Sequence, residues 1–263
     1  VPARNKEFGP MIRFLFVPEE GHKWGSFDYS QQEPRMTVHY AASIGNGYEG
    51  SSELVEAYHK ASTDFHQTVA DLVGIERVQA KTIGLGLMYG MGKNKLATSL
   101  GVSKEEATVL ISKYNRKVPF VKMLSDRCMQ TANDKGVIRT KKGRKCRFDM
   151  WEPKDFGLYT AETFDNAVAK YGRENIKRAY TYKALNRLIQ GSSADQTKQA
   201  MLSCYEAGHL PILQIHDELC FNISKTNTKD TKSIKKIMES CIEFKLPFVV
   251  DVKTGGSWGT AHD

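Results

Sequence analysis

Two apolar runs only three residues apart constrain this chain more than any other stretch. Pro211-Ile212-Leu213-Gln214-Ile215 and Leu219-Cys220-Phe221-Asn222-Ile223 flank His216-Asp217-Glu218. Runs so short and so close read as two antiparallel strands joined by a tight turn. The turn holds neither Gly nor Asn, which such turns favour, and presents two carboxylates instead. It is either a solvated acidic tip or a tip whose residues serve chemistry.

A second carboxylate of this kind lies far upstream. Asp28 follows Lys23-Trp24-Gly25-Ser26, which reads as the end of a strand, and stands where the chain turns. An Asp there either caps the next helix or holds a hard cation. Together Asp28 and Asp217 suit two Mg²⁺ ions, with Mn²⁺ as a possible substitute, because Mg²⁺ takes one or two carboxylates and completes its shell with substrate phosphates and water. A metal pair of this kind can serve an attacking hydroxyl and a leaving oxygen at once.

Around these carboxylates the chain reads as strands at both ends with helices between. Residues 1–28 look like short extended segments, with Met11–Val17 as a strand, and Phe248–Val252 is the last strand. Helical spacing of apolar residues runs from Glu53 to Val73 and continues from Glu76 to Tyr89. Ser103-x-x-Glu106 is a capping box opening a helix that ends before Pro119. Further helices are expected at Val121–Asp134, Ala179–Tyr205 and Lys232–Phe244. Gly136–Phe148 reads as a hairpin with six basic residues. This pattern predicts an α+β fold, an antiparallel sheet carrying a large helical insertion.

Arg77, Lys81, Leu85 and Tyr89 recur every fourth residue and share one helix face. Two cations, an aliphatic group and an aromatic ring in line would match a nucleoside triphosphate laid lengthwise; an ordinary amphipathic helix is the other reading. Gly84 and Gly86 each cost about 1 kcal/mol against Ala inside a helix, a cost usually accepted where something approaches the backbone closely. The excess of basic over acidic residues, 38 to 30, suits a polyanionic partner. Five widely spaced cysteines read as reduced thiols in a cytosol-like compartment and make a zinc site improbable. No run has the length of a membrane span.

Three blocks stand in order: Asp-Tyr-Ser-Gln-x-Glu-x-Arg at 28–35, Arg-x3-Lys-x7-Tyr-Gly at 77–90, and His-Asp-Glu at 216–218. They resemble the three polymerase motifs of family A DNA polymerases, the bacterial DNA polymerase I and phage replicative group. Pro2-x-Arg4-Asn5, Ile12-Arg13-x2-Phe16, Asp64-Phe65-His66, Asn186-x3-Gln190-Gly191-Ser192-x-Ala194-Asp195 and Trp258-x2-Ala261-His262 extend the resemblance over essentially the whole chain. It implies a right-hand fold without its thumb: palm at 1–44 and 179–263, and fingers at 45–178 with the nucleotide-binding helix at 76–90.

The resemblance further implies residue roles. Asp28 and Asp217 would bind the two metals, joined by the Tyr29 carbonyl, with Glu218 nearby. Glu33 would exclude a ribose 2′-hydroxyl. His66, Arg77 and Lys81 would hold the triphosphate, Lys81 also serving as proton donor to pyrophosphate. Leu85 and Tyr89 would face the sugar and the nascent base pair. Arg4, Asn186, Gln190 and His216 would touch primer–template DNA. The expected partners are primer–template, dNTPs and an N-terminal polymerase piece carrying the thumb and an exonuclease, with no membrane; the expected location is cytoplasmic, the host cytoplasm if the chain is viral. Leu85 replaces the family's aromatic residue and predicts an altered response to dideoxynucleotides. Gln32 and Pro34 replace apolar residues, placing the start of the next helix near Pro34, and Tyr182 replaces an Arg of the bacterial enzymes. An inactive nucleic-acid-binding module and a single-subunit RNA polymerase relative are the alternatives.

Overall fold

The computed structural model describes residues 5, 7–60, 64–155, 157, 159–226 and 229–262, the His262 side chain excepted. In chain order the elements are α1 (Phe8–Phe14), β1 (His22–Tyr29), α2 (Gln32–Ser43), α3 (Ser51–Lys60), α4 (Phe65–Val73), α5 (Arg77–Met88), α6 (Lys93–Leu100), α7 (Lys104–Lys117) and α8 (Pro119–Lys135). They continue through β2 (Val137–Arg139), β3 (Lys145–Arg147), β4 (Trp151–Pro153), α9 (Phe164–Tyr171), β5 (Ile176–Arg178) and α10 (Ala184–Glu206). The chain closes with β6 (Pro211–Ile215), β7 (Glu218–Ser224), α11 (Lys229–Ser240), β8 (Val250–Gly255) and α12 (Trp258–His262). It divides into two compact units, residues 1–35 with 193–263, and residues 36–192.

The first unit is built on a four-stranded antiparallel sheet in the order β6-β7-β1-β8. Strand alternation places Trp24, Ser26 and Asp28 on one face and Gly25, Phe27 and Tyr29 on the other. On the first face Trp24 packs with Cys220, Trp258 and Ala261, flanked by Leu213 and Ile215. On the second, Phe27 meets Phe221 edge to face at 5.3 Å, and Tyr29 meets Phe248 at 6.4 Å. The Tyr29 hydroxyl donates to the Met238 carbonyl of α11 at 2.6 Å. A strand buried on both faces is well suited to hold one carboxylate still at its end.

The second unit is helical, with two short antiparallel ribbons, β2–β3 and β4–β5. Phe65, Ile83, Leu96, Tyr114, Phe120 and Leu124 are among its fully buried side chains. The capping box closes as its spacing predicts: Ser103 Oγ accepts from Glu106 N at 3.1 Å and Glu106 Oε2 from Ser103 N at 2.9 Å. Gly136 ends α8 in the left-handed region at φ 66°.

Several expectations are corrected. The run 11–17 is not a strand. Pro10 sits in the first turn of a helix, and Asn5 Oδ1 accepts from Glu7 N and Phe8 N at 2.9 and 2.8 Å, which starts α1 there. The stretch 53–73 is two helices, because Asp64 caps a new one. The helix expected from Ala179 begins at Ala184, after Tyr180 at φ 60°. Glu33 lies inside the first turn of α2 rather than before it, with Pro34 beside it, where a missing N–H costs nothing. The last helix and strand shift to Lys229–Ser240 and Val250–Gly255. The β4–β5 ribbon had no visible alternation to announce it.

Candidate active site

Register brings the carboxylates of the first unit together. Asp28 of β1 lies opposite Glu218 of β7 on one side and Asp251 of β8 on the other. Directly opposed residues of antiparallel strands share a face. Asp217 stands in the turn before Glu218, and His216 adopts a left-handed φ of 55° to make that turn without Gly or Asn. Gln214 Nε2 donates to the His216 carbonyl at 3.2 Å, and Cys220 Sγ to Glu218 Oε1 at 3.5 Å. Asp28 is therefore no helix cap.

The electrostatics follow from the crowding. Asp28 still reaches solvent, yet its carboxyl is pushed up to about 7, first by the protein packed around it and then by Asp217, Glu218 and Asp251, with Lys253 opposing. Asp217 is also raised, chiefly by burial; its own backbone N–H and His216 pull the other way, and Glu218 adds to the rise. Among the described residues no three such side chains close into a preformed metal cage. The donor set fits a hard divalent cation: carboxylate oxygens short of countercharge, at the end of the strand whose last residue is Tyr29.

Behind Asp28 the motif is tied down from within. Gln31 reverses the chain at φ 54°. Arg35, 1% exposed, donates Nε to the Ser30 carbonyl at 2.9 Å and Nη1 to the Pro247 carbonyl at 2.7 Å. Gln32 Nε2 donates to Gln196 Oε1 at 3.0 Å and Thr197 Oγ1 at 3.3 Å, all buried. Glu33, half-buried, follows in the first turn of α2.

In the second unit α5 splits as its period predicts. Ala80, Ile83, Gly84 and Met88 are buried, Arg77 and Lys81 are exposed and Leu85 is half-buried. Tyr89 is the cap just beyond α5, its N–H donating to Leu85 O at 2.9 Å. Gly90 at φ 67° lets Tyr182 approach; a Cβ there would meet the Tyr182 carbonyl at 3.2 Å. His66 lies in the first turn of α4, buried, with its pKa lowered to about 4 by burial, against the pull of Asp64 and with the help of Lys81 and Arg77. It is thus a neutral hydrogen-bonding group beside two cations.

Asn186 is half-buried and Gln190 exposed on the first turns of α10. The basic β2–β3 hairpin is fixed to the same stretch. Lys141 N donates to Tyr40 Oη at 2.9 Å, that hydroxyl lies 2.6 Å from Ser192 Oγ, and Cys146 Sγ donates to the Arg187 carbonyl at 3.8 Å. His216 is exposed at the β6–β7 turn, and Arg4 lies outside the described residues.

Two residues were underrated from sequence. Asp251 interrupts an apolar strand, Val249-Val250-Asp251-Val252, and that interruption was its signal. Asp64 was legible as part of a motif but carried no role.

A family model described as DNA polymerase family A matches residues 1–260. The chain is 39% identical to a DNA-directed DNA polymerase of Pseudomonas phage M6, over 98% of this chain and 41% of that protein. It is 32% identical to DNA polymerase I of Caldicellulosiruptor bescii, over 98% of this chain and 29% of that one. Among solved structures, the POL domain of Pol1 from M. smegmatis, in complex with DNA primer-template and dNTP, matches with a TM-score of 0.77 at 28% identity, over 98% of this chain and 44% of that chain. The chain thus spans less than half the length of each of these relatives.

Proposed function

The chain belongs to DNA polymerase family A, and on that footing we propose that it is the palm–fingers part of a template-directed DNA polymerase that adds dNTPs to a primer 3′-hydroxyl. The observation that carries this reading is the β1–β7 register, which sets Asp28 opposite Glu218 and beside Asp217. Asp28, Asp217 and the Tyr29 carbonyl would hold two Mg²⁺ ions, or Mn²⁺ in their place. When bound, such ions supply countercharge and acidify the attacking hydroxyl.

The protein's own side chains do the rest, since phosphoryl transfer is mainly positioning and charge neutralisation. Arg77 and Lys81 attract the triphosphate, and neutral His66 donates one hydrogen bond to it. The primer hydroxyl loses its proton to solvent, its oxygen attacks the α-phosphorus in line, the bond to the bridging oxygen of pyrophosphate breaks, and Lys81 gives that oxygen a proton. Glu33 excludes the ribose 2′-hydroxyl; Leu85 and Tyr89 face the sugar and the nascent pair. Asn186, Gln190 and His216 contact primer–template, and the exposed cations of the β2–β3 hairpin add phosphate contacts.

Phe8, Met11, Leu15 and Val17 are exposed at 51, 60, 77 and 64%. This apolar surface supports contact with an N-terminal polymerase piece bearing the thumb and an exonuclease. We place the protein in the cytoplasm, the host's if it is viral, a reading supported by five free cysteines. The test is primer extension by the 263-residue chain, with and without an N-terminal piece. Asp28→Ala and Asp217→Ala should each abolish extension with circular dichroism unchanged. Normal incorporation by either variant would refute the assignment, and extension with rNTPs would favour an RNA polymerase relative.

A further inference from the structure

Asp64 sits at the junction of α4 and α5 with both oxygens committed. Oδ1 accepts from Gln67 N at 3.0 Å, capping α4. Oδ2 takes both Nε and Nη2 of Arg77, at 2.9 and 2.7 Å. Because the cap pins one oxygen, the whole guanidinium edge falls on the other. Nη1 of Arg77 makes no hydrogen bond among the described residues, so the outer edge of the fork is left for a ligand.

His66 follows in the turn that Asp64 caps. It is 5% exposed and its Nδ1 has no hydrogen-bond partner among the described residues. A buried polar atom of this kind needs a partner or a ligand. The Asp64–Arg77 pair itself is too exposed, at 34 and 45% of the two side chains, to matter much for stability. Its geometry is better explained by what it orients. An Arg at the first position of a helix is otherwise free to sample many rotamers, and ordering it on binding costs affinity.

We propose that Asp64 is a positioning residue for the triphosphate site: one carboxylate presets the Arg77 fork and the first turn bearing His66 before the anion arrives. This rests on reading Arg77 and His66 as phosphate-binding groups. Asp64 touches no reacting atom; it acts through its two neighbours.

Calorimetric titration of inorganic tripolyphosphate into the 263-residue chain reads the site without catalysis. Arg77→Ala should weaken binding more than about tenfold, and Asp64→Asn, which keeps the cap, about three- to tenfold. With Arg77 already Ala, Asp64→Asn should add nothing. Asp64→Ala, which loses the cap as well, should weaken binding beyond Asp64→Asn, and that difference should vanish in a His66→Ala background. In primer extension Asp64→Asn should raise KM for dNTP by the same factor while kcat moves far less, a split that a merely structural tie between helices would not produce. Unchanged or tighter binding by Asp64→Asn, or additive losses in the double variant, would overturn the proposal while an Arg77→Ala defect left the phosphate reading standing. If the wild-type chain fails to bind tripolyphosphate, the phosphate reading falls and the proposal with it.

Discussion

Gln32 begins α2 with a buried amide bonded to a second buried amide on α10, and the Nε2 of that partner, Gln196, has no acceptor among the described residues. Gln32→Leu would strand Gln196 Oε1 as well, at a cost of about 1–3 kcal/mol. Gln32→Leu with Gln196→Leu removes both ends of the conflict, and urea melts should show it recovering most of that loss. His66 gives a pH signature. Its folded pKa, about 4, lies below the ordinary 6.5, so the unfolded chain binds more protons between those values. Stability present above pH 6.5 is lost as pH falls toward 4, by at most about 1.4 kcal/mol per pH unit. Denaturation midpoints at about pH 7 and about pH 5 should differ less in His66→Gln than in the wild type. Asp28 and Asp217 were legible because each stands where an apolar strand stops, whereas Asp251, inside one, was not. The clamps by Arg35 and Gln32 were not, since a buried Arg or Gln in sequence looks like any surface one until its partners, 212 and 164 residues away, are in place.

On α5, Gly84 gives room to Tyr114 of α7. A Cβ at Gly84 would lie 3.0 Å from the Tyr114 hydroxyl but 3.7 Å from the ring carbon that bears it. That hydroxyl is buried without a partner among the described residues. Ala would gain about 1 kcal/mol of helix propensity, yet overpacking against a fixed ring costs about 1–3 kcal/mol, so Gly84→Ala should be net destabilising in thermal melts. Tyr114→Phe should reverse the sign, since it removes the clashing atom and an unsatisfied group together. A Gly84→Ala/Tyr114→Phe variant less stable than Tyr114→Phe alone would contradict this. Elements with strong local punctuation were readable from sequence: the capping box of α7, the Gly136 stop of α8 and the β6–β7 turn. The 11–17 run was not, because its apolar residues stay largely exposed on and just after a helix, where strand burial is the usual cause of such a run.

For the chain as a whole the formal charge of +8 sets how it meets a polyanion. Affinity for primer–template should fall steeply with salt, with log K changing by about −0.9 per phosphate neutralised for each unit of log salt. Converting Lys141, Lys142 and Arg144 to Gln should make that slope shallower by roughly one for each phosphate left without its cation, read by fluorescence anisotropy across a salt series. The sheet order β6-β7-β1-β8 has a consequence in time as well as in space. Strand β1 is synthesised first, and both of its neighbours in the sheet follow the whole of residues 36–192. Asp28 therefore waits through the synthesis of that entire stretch before Glu218 and Asp251 can flank it. A nascent chain halted before β7 carries the helical residues 36–192 without a flanked Asp28, so the carboxylate cluster closes only after that helical unit has been made.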